Sequence, residues 1–365
     1  MPIYLDYNAT APMRPEVRDL VIRVMEGVGN GSSVHAYGRA ARKYIEDARA
    51  QVADLCVATP EQVTFTSGAT ESINTVLHHF RGKRILVSSI EHPAVLQSAP
   101  DSEQIPVTTN GVIDLNALEA LLKAEPTALV CVMLVNSETG VIQPVAEAAQ
   151  LAHDHGALLF VDAVQAAGRI NISLNKLGAD YMALSAHKMA GPQGVGALIT
   201  KSGLETPRFM LGGGQEKNCR AGTHNTAGIA GMGLAAQIAK DSITHYDETI
   251  TKMRDDMEEK IRALTNGIKI YGDHMPRVGN TSNIGLHGVP AQTQMMALDL
   301  DGIAVSSGSA CSSGSFKPSH VLTAMGADES EAKSALRISM GWNTTQHDID
   351  TFLNSYTKII KRTQA

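Results

Sequence analysis

The feature that most constrains the fold is an alternation of short apolar runs with longer amphipathic segments. The apolar runs predict strands at residues 62–66, 84–89, 128–135, 158–162, 181–185 and 196–200. The amphipathic segments predict helices, among them residues 41–57, 114–124 and 145–155. Strands that alternate with helices form a mostly parallel sheet covered by helices. The sequence therefore predicts an α/β fold, in which ligands bind beyond the carboxyl ends of the strands.

The pattern changes after about residue 222. A long helical segment at 225–264 leads into a shorter mixed region, where strands are predicted near 282–286 and 336–339. A chain of 365 residues also exceeds the usual size of a single domain. We therefore expect a second, smaller α/β domain in the C-terminal part of the chain.

Composition and charge disfavour several classes of partner. A net charge of −6 and an aromatic content of 4% argue against direct binding of nucleic acid. The N-terminus lacks the features of a signal peptide, and the longest apolar run, at 128–135, is too short to span a bilayer. The four cysteines, at positions 56, 131, 219 and 311, show no paired spacing. These patterns predict a cytoplasmic protein without a membrane partner or a disulfide framework.

Cys311 lies in an unusual segment, Ser-Ser-Gly-Ser-Ala-Cys-Ser-Ser-Gly-Ser, at residues 306–315. A structural cysteine usually lies among apolar neighbours, whereas a reactive thiol needs exposure. Small residues with a glycine on either side supply conformational freedom. The sequence of this segment therefore predicts a loop that carries a reactive thiol. The alternative is a surface cysteine without a function.

Two charged residues follow predicted strands that end at the same edge of the sheet. Lys188 comes just after the strand at 181–185, where its amine could bond covalently to an aldehyde cofactor. Asp162 ends the strand at 158–162, and pyridoxal phosphate enzymes use such a carboxylate to keep the pyridine nitrogen protonated. The alternatives are a solvated surface lysine and an aspartate that caps the next helix.

Three further features suit a flat, anionic ligand. Gly68 and Thr70 lie where a strand gives way to a helix, and backbone amides there suit a phosphate, although the same pattern also caps a helix. His92 follows a strand and could stack on a ring or move protons, or be structural. Arg337 lies in an apolar stretch and would meet either a substrate carboxylate or a structural acid.

Together these motifs resemble the NifS/IscS-like cysteine desulfurases, in the class V aminotransferase group, over nearly the whole chain. The motifs lie at residues 4–12, 29–35, 68–70, 91–92, 162–165, 185–188, 212–216, 220–223, 306–311 and 336–337. Each is weak alone, but their order and spacing are specific. The resemblance implies the fold type I of pyridoxal-phosphate-dependent transferases. It implies a large domain at 13–250 and a small domain, formed by 1–12 and 251–365, that carries the cysteine loop.

The resemblance also implies the site. Catalytic roles fall to Cys311, Lys188 and His92, and Arg337 would bind the substrate carboxylate. Pyridoxal 5′-phosphate would be bonded covalently to Lys188 and contacted by Ala69, Thr70, Asn136, Asp162, Gln165, Ser185, His187 and Thr223. Thr223 would reach the phosphate from the partner subunit of a homodimer. Relatives often carry Asn-Asn-Glu near the cofactor, whereas this chain has Asn136-Ser137-Glu138, so Asn136 is the predicted contact.

The activity implied is conversion of L-cysteine to L-alanine, with transfer of the sulfur to Cys311 as a persulfide. An acceptor protein, such as a scaffold for iron–sulfur cluster assembly or a tRNA-thiolation relay, would then take the sulfur. The alternatives are a pyridoxal-phosphate-dependent aminotransferase and a selenocysteine or cysteine-sulfinate lyase. No intrinsic metal site is predicted, because the histidines at 78, 79, 153 and 155 lack further ligands at suitable spacing, although Cys311 could share a cluster ligand role with a scaffold.

Overall fold

The computed structural model describes residues 2–308 and 317–364, and in them strands and helices alternate. The strands are β1 (Ile3–Tyr4), β2 (Val63–Thr66), β3 (Ile85–Ser88), β4 (Glu103–Ile105), β5 (Leu129–Cys131), β6 (Leu158–Asp162), β7 (Tyr181–Ser185), β8 (Gly196–Thr200), β9 (Ile268–Ile270), β10 (Thr281–Leu286), β11 (Ile303–Ala304), β12 (Ser306–Ser307) and β13 (Ala335–Ser339). The helices are α1 (Pro15–Glu26), α2 (Ala36–Leu55), α3 (Ala69–His79), α4 (Pro93–Leu96), α5 (Leu115–Ala124), α6 (Val145–Asp154), α7 (Thr226–Arg262), α8 (Ala291–Leu300), α9 (His320–Ala324), α10 (Glu329–Ser334) and α11 (Gln346–Gln364). Short 3₁₀ turns lie at Pro60–Gln62, Ala186–Met189 and Gln215–Asn218.

The main sheet has seven strands in the order β2-β8-β7-β6-β5-β3-β4. The strands from β7 to β4 pair in parallel, and β8 runs antiparallel to both β7 and β2. The predicted mostly parallel α/β fold is therefore confirmed. The strands predicted at 158–162, 181–185 and 196–200 have the predicted bounds.

The apolar run at 128–135 forms a shorter strand than predicted. β5 ends at Cys131, although residues 132–135 stay buried. The amides of Val132 and Leu134 bond to the carbonyls of Phe160 and Asp162, so this stretch continues beside β6 before the chain turns. Because the apolar run extends beyond the strand, the length of the run does not show where the strand ends.

A second, antiparallel sheet has the order β12-β13-β10-β9. The N-terminal strand β1 pairs in parallel with β11, and Leu5 packs into the apolar cluster beside this second sheet. Helix α7 contributes Ile229 to the main cluster and Met257 to the second. The helix thus contributes to both apolar clusters, and the division into 13–250 and 1–12 with 251–365 stays a prediction.

A search of the described residues found no helix long and apolar enough to cross a membrane.

A buried ion pair ties α2 to the turn at Gln215–Asn218. The Arg49 guanidinium donates to both Glu216 carboxylate oxygens at 2.7 and 2.9 Å, and the Phe65 amide donates to the same carboxylate at 2.8 Å. Glu216 and the next two residues have positive φ angles of 46°, 56° and 65°, a conformation that costs free energy at non-glycine positions. The ion pair therefore holds a strained turn against the strand that leads to Gly68.

We expect Arg49→Met to lower the free energy of unfolding by about 3–5 kcal/mol, because it leaves the Glu216 carboxylate buried without its cation. Denaturation in urea, followed by circular dichroism, measures the loss. Glu46→Gln is the matched control, because Glu46 pairs with the same arginine but has a side chain 54% exposed. That variant should lose about 0–1 kcal/mol. Equal losses in the two variants would contradict a special role for the buried pair.

Candidate active site

A cavity of about 600 Å³ opens beyond the carboxyl ends of the main strands. Ligand pockets in proteins commonly have volumes of this order. The cavity brings together eight of the residues predicted from the sequence: Ala69, Thr70, His92, Asp162, Gln165, Ser185, His187 and Lys188. Thus residues far apart in the sequence meet at one edge of the sheet.

Strand ends explain this convergence. Asp162 is the last residue of β6 and Ser185 the last of the neighbouring β7. The 3₁₀ turn after β7 carries His187 and Lys188. Because β6 and β7 are parallel, their carboxyl ends lie at the same edge, so the carboxylate and the amine face one cavity.

One end of the cavity is suited to an anion. Helix α3 begins here, and its N-cap, Gly68, provides no side chain to bond the first amides of the helix. A Cβ at Gly68 would meet no atom within 4 Å, so the approach to these amides is open. Ser185 and His187 line the same cavity. Free amides at a helix N-terminus and nearby hydroxyl groups are typical of phosphate sites.

Helix α3 is held by a partly buried ion pair. Glu71, in the first turn of the helix, accepts from the Arg220 guanidinium at 2.8 and 3.1 Å and from the Ser67 amide at 2.8 Å. Burial alone would raise the pKa of the Glu71 carboxyl, but these bonds hold it below its usual value. The carboxylate is thus neutralised by Arg220 and leaves the neighbouring amides of Ala69 and Thr70 free for an anion.

Lys188 is an amine with weakened basicity. Its Nζ donates to the carbonyl oxygens of Asn8 and Ala9 at 2.5 and 2.8 Å. Burial, together with the positive charges of Arg169 and Arg337, lowers the pKa of the amine to about 7, and the charges of Asp6 and Asp162 oppose the shift. A substantial fraction of the amine is therefore neutral near pH 7, as a nucleophile or a base requires.

The carboxyl of Asp162 is buried, and burial raises its pKa, while the charges of His92 and Lys188 oppose the shift. Its Oδ1 accepts from the Val164 amide at 2.9 Å. Among the described residues Asp162 forms no ion pair. A cation placed against this carboxyl would restore its ionised form.

His92 is the N-cap of α4, and its Nδ1 accepts from the Ala94 amide at 3.1 Å. Burial in the cavity wall lowers the pKa of the imidazole, Asp162 opposes this, and Lys188 and His320 add to it. The ring is therefore mostly neutral near pH 7. Because Nδ1 is an acceptor, the proton of the neutral ring lies on Nε2.

Gln165 lies between the cavity and a buried arginine. Its amide nitrogen donates to the Asn8 carbonyl at 3.0 Å, and its amide oxygen accepts from Arg169. Arg169 is 4% exposed and forms no ion pair with a carboxylate within residues 2–308 or 317–364. Burial lowers the pKa of this guanidinium to about 10. Sequence reasoning missed Arg169, although it occupies an apolar stretch much as Arg337 does.

The structure places Asn136 outside the cavity lining. Its side-chain oxygen accepts from the amides of Glu138 and Thr139 at 2.9 and 3.0 Å, and its nitrogen donates to the Ile90 carbonyl at 3.2 Å. These bonds fix a buried turn. Ser137, the next residue, lines the cavity instead.

Arg337 lies on β13, outside the lining of the cavity but bonded to its wall. The guanidinium donates to the Ser137 carbonyl at 3.2 Å and to Asp6 at 2.8 Å. Sequence reasoning assigned no role to Asp6, which occupies the N-terminal motif at 4–12. A substrate carboxylate that binds Arg337 would either share the guanidinium with Asp6 or displace the Asp6 carboxylate from it.

The remaining predicted residues lie elsewhere. Thr223 is exposed and does not line the cavity of its own chain. Cys311 lies outside the described residues. No cluster of three or more metal-ligating side chains was found within the part of the chain that the structure describes.

Comparisons with known proteins give one family. The model of the aminotransferase class-V family matches residues 3–352. A cysteine desulfurase IscS from Dictyoglomus turgidum is 36% identical, over 99% of this chain and 95% of the relative. The structure of a NifS-like protein from Rickettsia africae has a TM-score of 0.92 and 37% identity, covering 99% of this chain and all of the other. A structure of SspA in complex with cysteine has a TM-score of 0.81 and 27% identity, covering 93% of this chain and 98% of the other.

We expect Arg169→Met to raise the pKa of the Lys188 amine by about one unit, because it removes a neighbouring positive charge. Competitive acetylation of the cofactor-free protein at a series of pH values, read by peptide mass spectrometry, gives this pKa. The amine reacts when neutral, so its labelling should rise through about pH 7 in the wild type and at higher pH in the variant. Arg262→Met, at the far end of α7, is the control. An unchanged midpoint in Arg169→Met would show that Arg169 does not weaken the amine.

Proposed function

The chain belongs to the aminotransferase class-V family, and we propose that within it the protein is a pyridoxal-phosphate-dependent cysteine desulfurase. The reaction converts L-cysteine to L-alanine and leaves the sulfur on Cys311 as a persulfide. The C–S bond of the substrate breaks, an S–S bond to Cys311 forms, and the substrate carbon takes up a proton. The observation that carries the proposal is the meeting of Lys188, Asp162 and His92 in one cavity.

The described residues fit pyridoxal phosphate. The open amides at the start of α3, with Ser185 and His187, suit its phosphate. Burial and Lys188 lower the pKa of His187 to about 4, so this ring stays neutral and offers hydrogen bonds without a titrating charge. The unpaired carboxyl of Asp162 suits a protonated pyridine nitrogen. Lys188 supplies the amine to which the aldehyde would bond, and Gln165 lies nearby with an amide for the ring hydroxyl.

When bound, this cofactor supplies an electron sink that weakens bonds at the substrate Cα. The amine of Lys188, with its pKa of about 7, then has the basicity needed to accept the Cα proton and return one later. Arg337 holds the substrate carboxylate, since it is a buried guanidinium bonded to the cavity wall at Ser137. Asp6 balances its charge before substrate arrives.

The sulfur transfer needs a thiolate, and the thiol of an unperturbed cysteine has a pKa of about 8.5. We propose that His92 accepts the proton of Cys311. To accept it at Nε2, the ring must first move its own proton to Nδ1 and release the Ala94 amide. Losing one such hydrogen bond costs about 0.5–1.5 kcal/mol, which is a small cost for a proton-transfer step.

The proposal extends to partners and setting. The substrate assignment is supported by the family match and by the related structure that contains cysteine. Thr223 is exposed, as expected of a residue that reaches the phosphate in the partner subunit of a homodimer. The sulfur would pass to an acceptor protein, such as an iron–sulfur scaffold. The described cysteines are free, and a thiol that must be regenerated suits the reducing cytoplasm.

We expect the wild-type protein, treated with L-cysteine, to gain the mass of one sulfur atom on the peptide that contains Cys311. Cys311→Ser should lose this gain and should slow sulfide release by on the order of 1,000-fold, since the nucleophile is removed. Cys219→Ser is the matched control, because Cys219 is a partly exposed free cysteine that does not line the cavity. Wild-type turnover in Cys311→Ser would overturn the proposal. Pyruvate formation only with an added keto acid would point to an aminotransferase.

We expect Lys188→Ala to lose the visible absorbance of the covalently bound cofactor after dialysis, because no other amine lines the cavity among the described residues. Lys201→Ala, which removes an amine paired with Asp180, should keep it. Absorbance spectra of the two purified variants make the comparison. A persistent band in Lys188→Ala would show that another group bonds the aldehyde.

A further inference from the structure

Glu138 is a buried acidic residue that the proposed reaction does not use. It is 4% exposed and forms no ion pair with any described residue. Its Oε2 accepts from the Ser319 hydroxyl at 2.5 Å, and its backbone carbonyl accepts from Asn283 at 3.3 Å. Burying an acid is costly, so its place calls for an explanation.

Glu138 contacts the chain on one side of Cys311 at Gly308. A Cβ at Gly308 would overlap the Glu138 carboxylate, so the glycine backbone lies directly against the acid. Gly308 follows β12, in which Ser306 and Ser307 pair with Arg337 and its neighbour on β13. Gly308 stands three residues before Cys311, and three residues span at most about 11 Å. Fixing Gly308 therefore limits how far Cys311 can lie from the turn at Glu138.

Glu138 contacts the chain on the other side of Cys311 at Ser319. The same hydroxyl that donates to Glu138 accepts from the Leu322 amide at 3.1 Å and caps α9. The next residue, His320, places its Nε2 2.9 Å from the carbonyl of Glu91, which directly precedes His92. The start of α9 is thus fixed to the cavity side of the molecule.

The turn that carries Glu138 also forms the cavity wall. Ser137 lines the cavity, and its carbonyl accepts from Arg337 and from Asn8 at 3.2 and 3.0 Å. One turn therefore contacts the cofactor cavity, the candidate carboxylate-binding arginine and both flanks of the cysteine segment.

We propose that Glu138 is a positioning residue for sulfur transfer, which fixes Gly308 and Ser319 against the cavity wall so that Cys311 is held within reach of the bound substrate. The inference rests on the proposed function. It assigns Glu138 to the step that forms the persulfide and not to the binding of cofactor or substrate.

The test separates these steps. Glu138→Ala should slow persulfide formation on Cys311 by on the order of 10-fold to 100-fold, since misplacing a reacting group costs that much. The change in cofactor absorbance on titration with L-cysteine should keep its midpoint within about 2-fold, because the binding residues are untouched. Glu138→Gln should stay near wild type. The amide of glutamine has nearly the same shape as the carboxyl group, and its oxygen can still accept from the Ser319 hydroxyl.

Gly308→Ala provides an independent variant, because the added methyl group would displace the carboxylate. It should slow persulfide formation as Glu138→Ala does, and the double variant should be no slower than the slower single one. Gly267→Ala is the control, since its nearest side-chain contact would be 3.6 Å away.

Two results would overturn the inference. One is a wild-type rate of persulfide formation in both Glu138→Ala and Gly308→Ala. The other is a parallel loss of substrate binding and persulfide formation in both, which would indicate a merely structural role. Absence of persulfide on Cys311 in the wild type would instead refute the proposed function itself.

Discussion

The cavity depends on charged groups that are buried without being paired with one another. Within the described residues, Lys188 and Arg169 have no carboxylate partner, and Asp162 and Glu91 have no cationic one. Unpaired buried charges are costly, and their pKa values move toward the neutral form. Burial lowers the pKa of Lys188 to about 7 and raises those of Asp162 and Glu91. A bound ligand with a cationic ring would give Asp162 a partner, and an aldehyde bonded to Lys188 would occupy its amine, so part of the cost is offset where the ligand binds.

The parts of this arrangement that follow from strand ends were predictable from the sequence. β6 and β7 are continuous apolar runs, and each ends at a polar residue, Asp162 or Ser185. In a parallel sheet these ends must share an edge, so the sequence places the carboxylate and Lys188 together. β5 was not predictable to the same degree. Its apolar run continues past Cys131 because residues 132–135 stay buried beside β6 after the strand itself has ended.

The residues that sequence reasoning missed depend on tertiary contacts. Whether Asn136 or Ser137 faces the cavity is decided by the backbone of the turn, which uses the Asn136 side chain for its own hydrogen bonds. Asp6 reaches Arg337 across 331 positions of sequence, and the parallel bridge between Asp6 and Ser339 on β13 brings the two residues together. Arg169 contacts Gln165 four positions before it, yet its influence on Lys188 comes from a positive charge that is buried in the folded chain.

Gly308 has a different role in the structure from the one that its sequence context indicates. From the sequence, a glycine beside Cys311 indicates conformational freedom. In the structure it provides close approach, because its backbone lies where any side chain would meet the Glu138 carboxylate. A glycine needed for contact restrains the chain at that point. The Glu138 carboxylate, which also accepts from Ser319, therefore restrains the chain on both sides of the segment that contains Cys311.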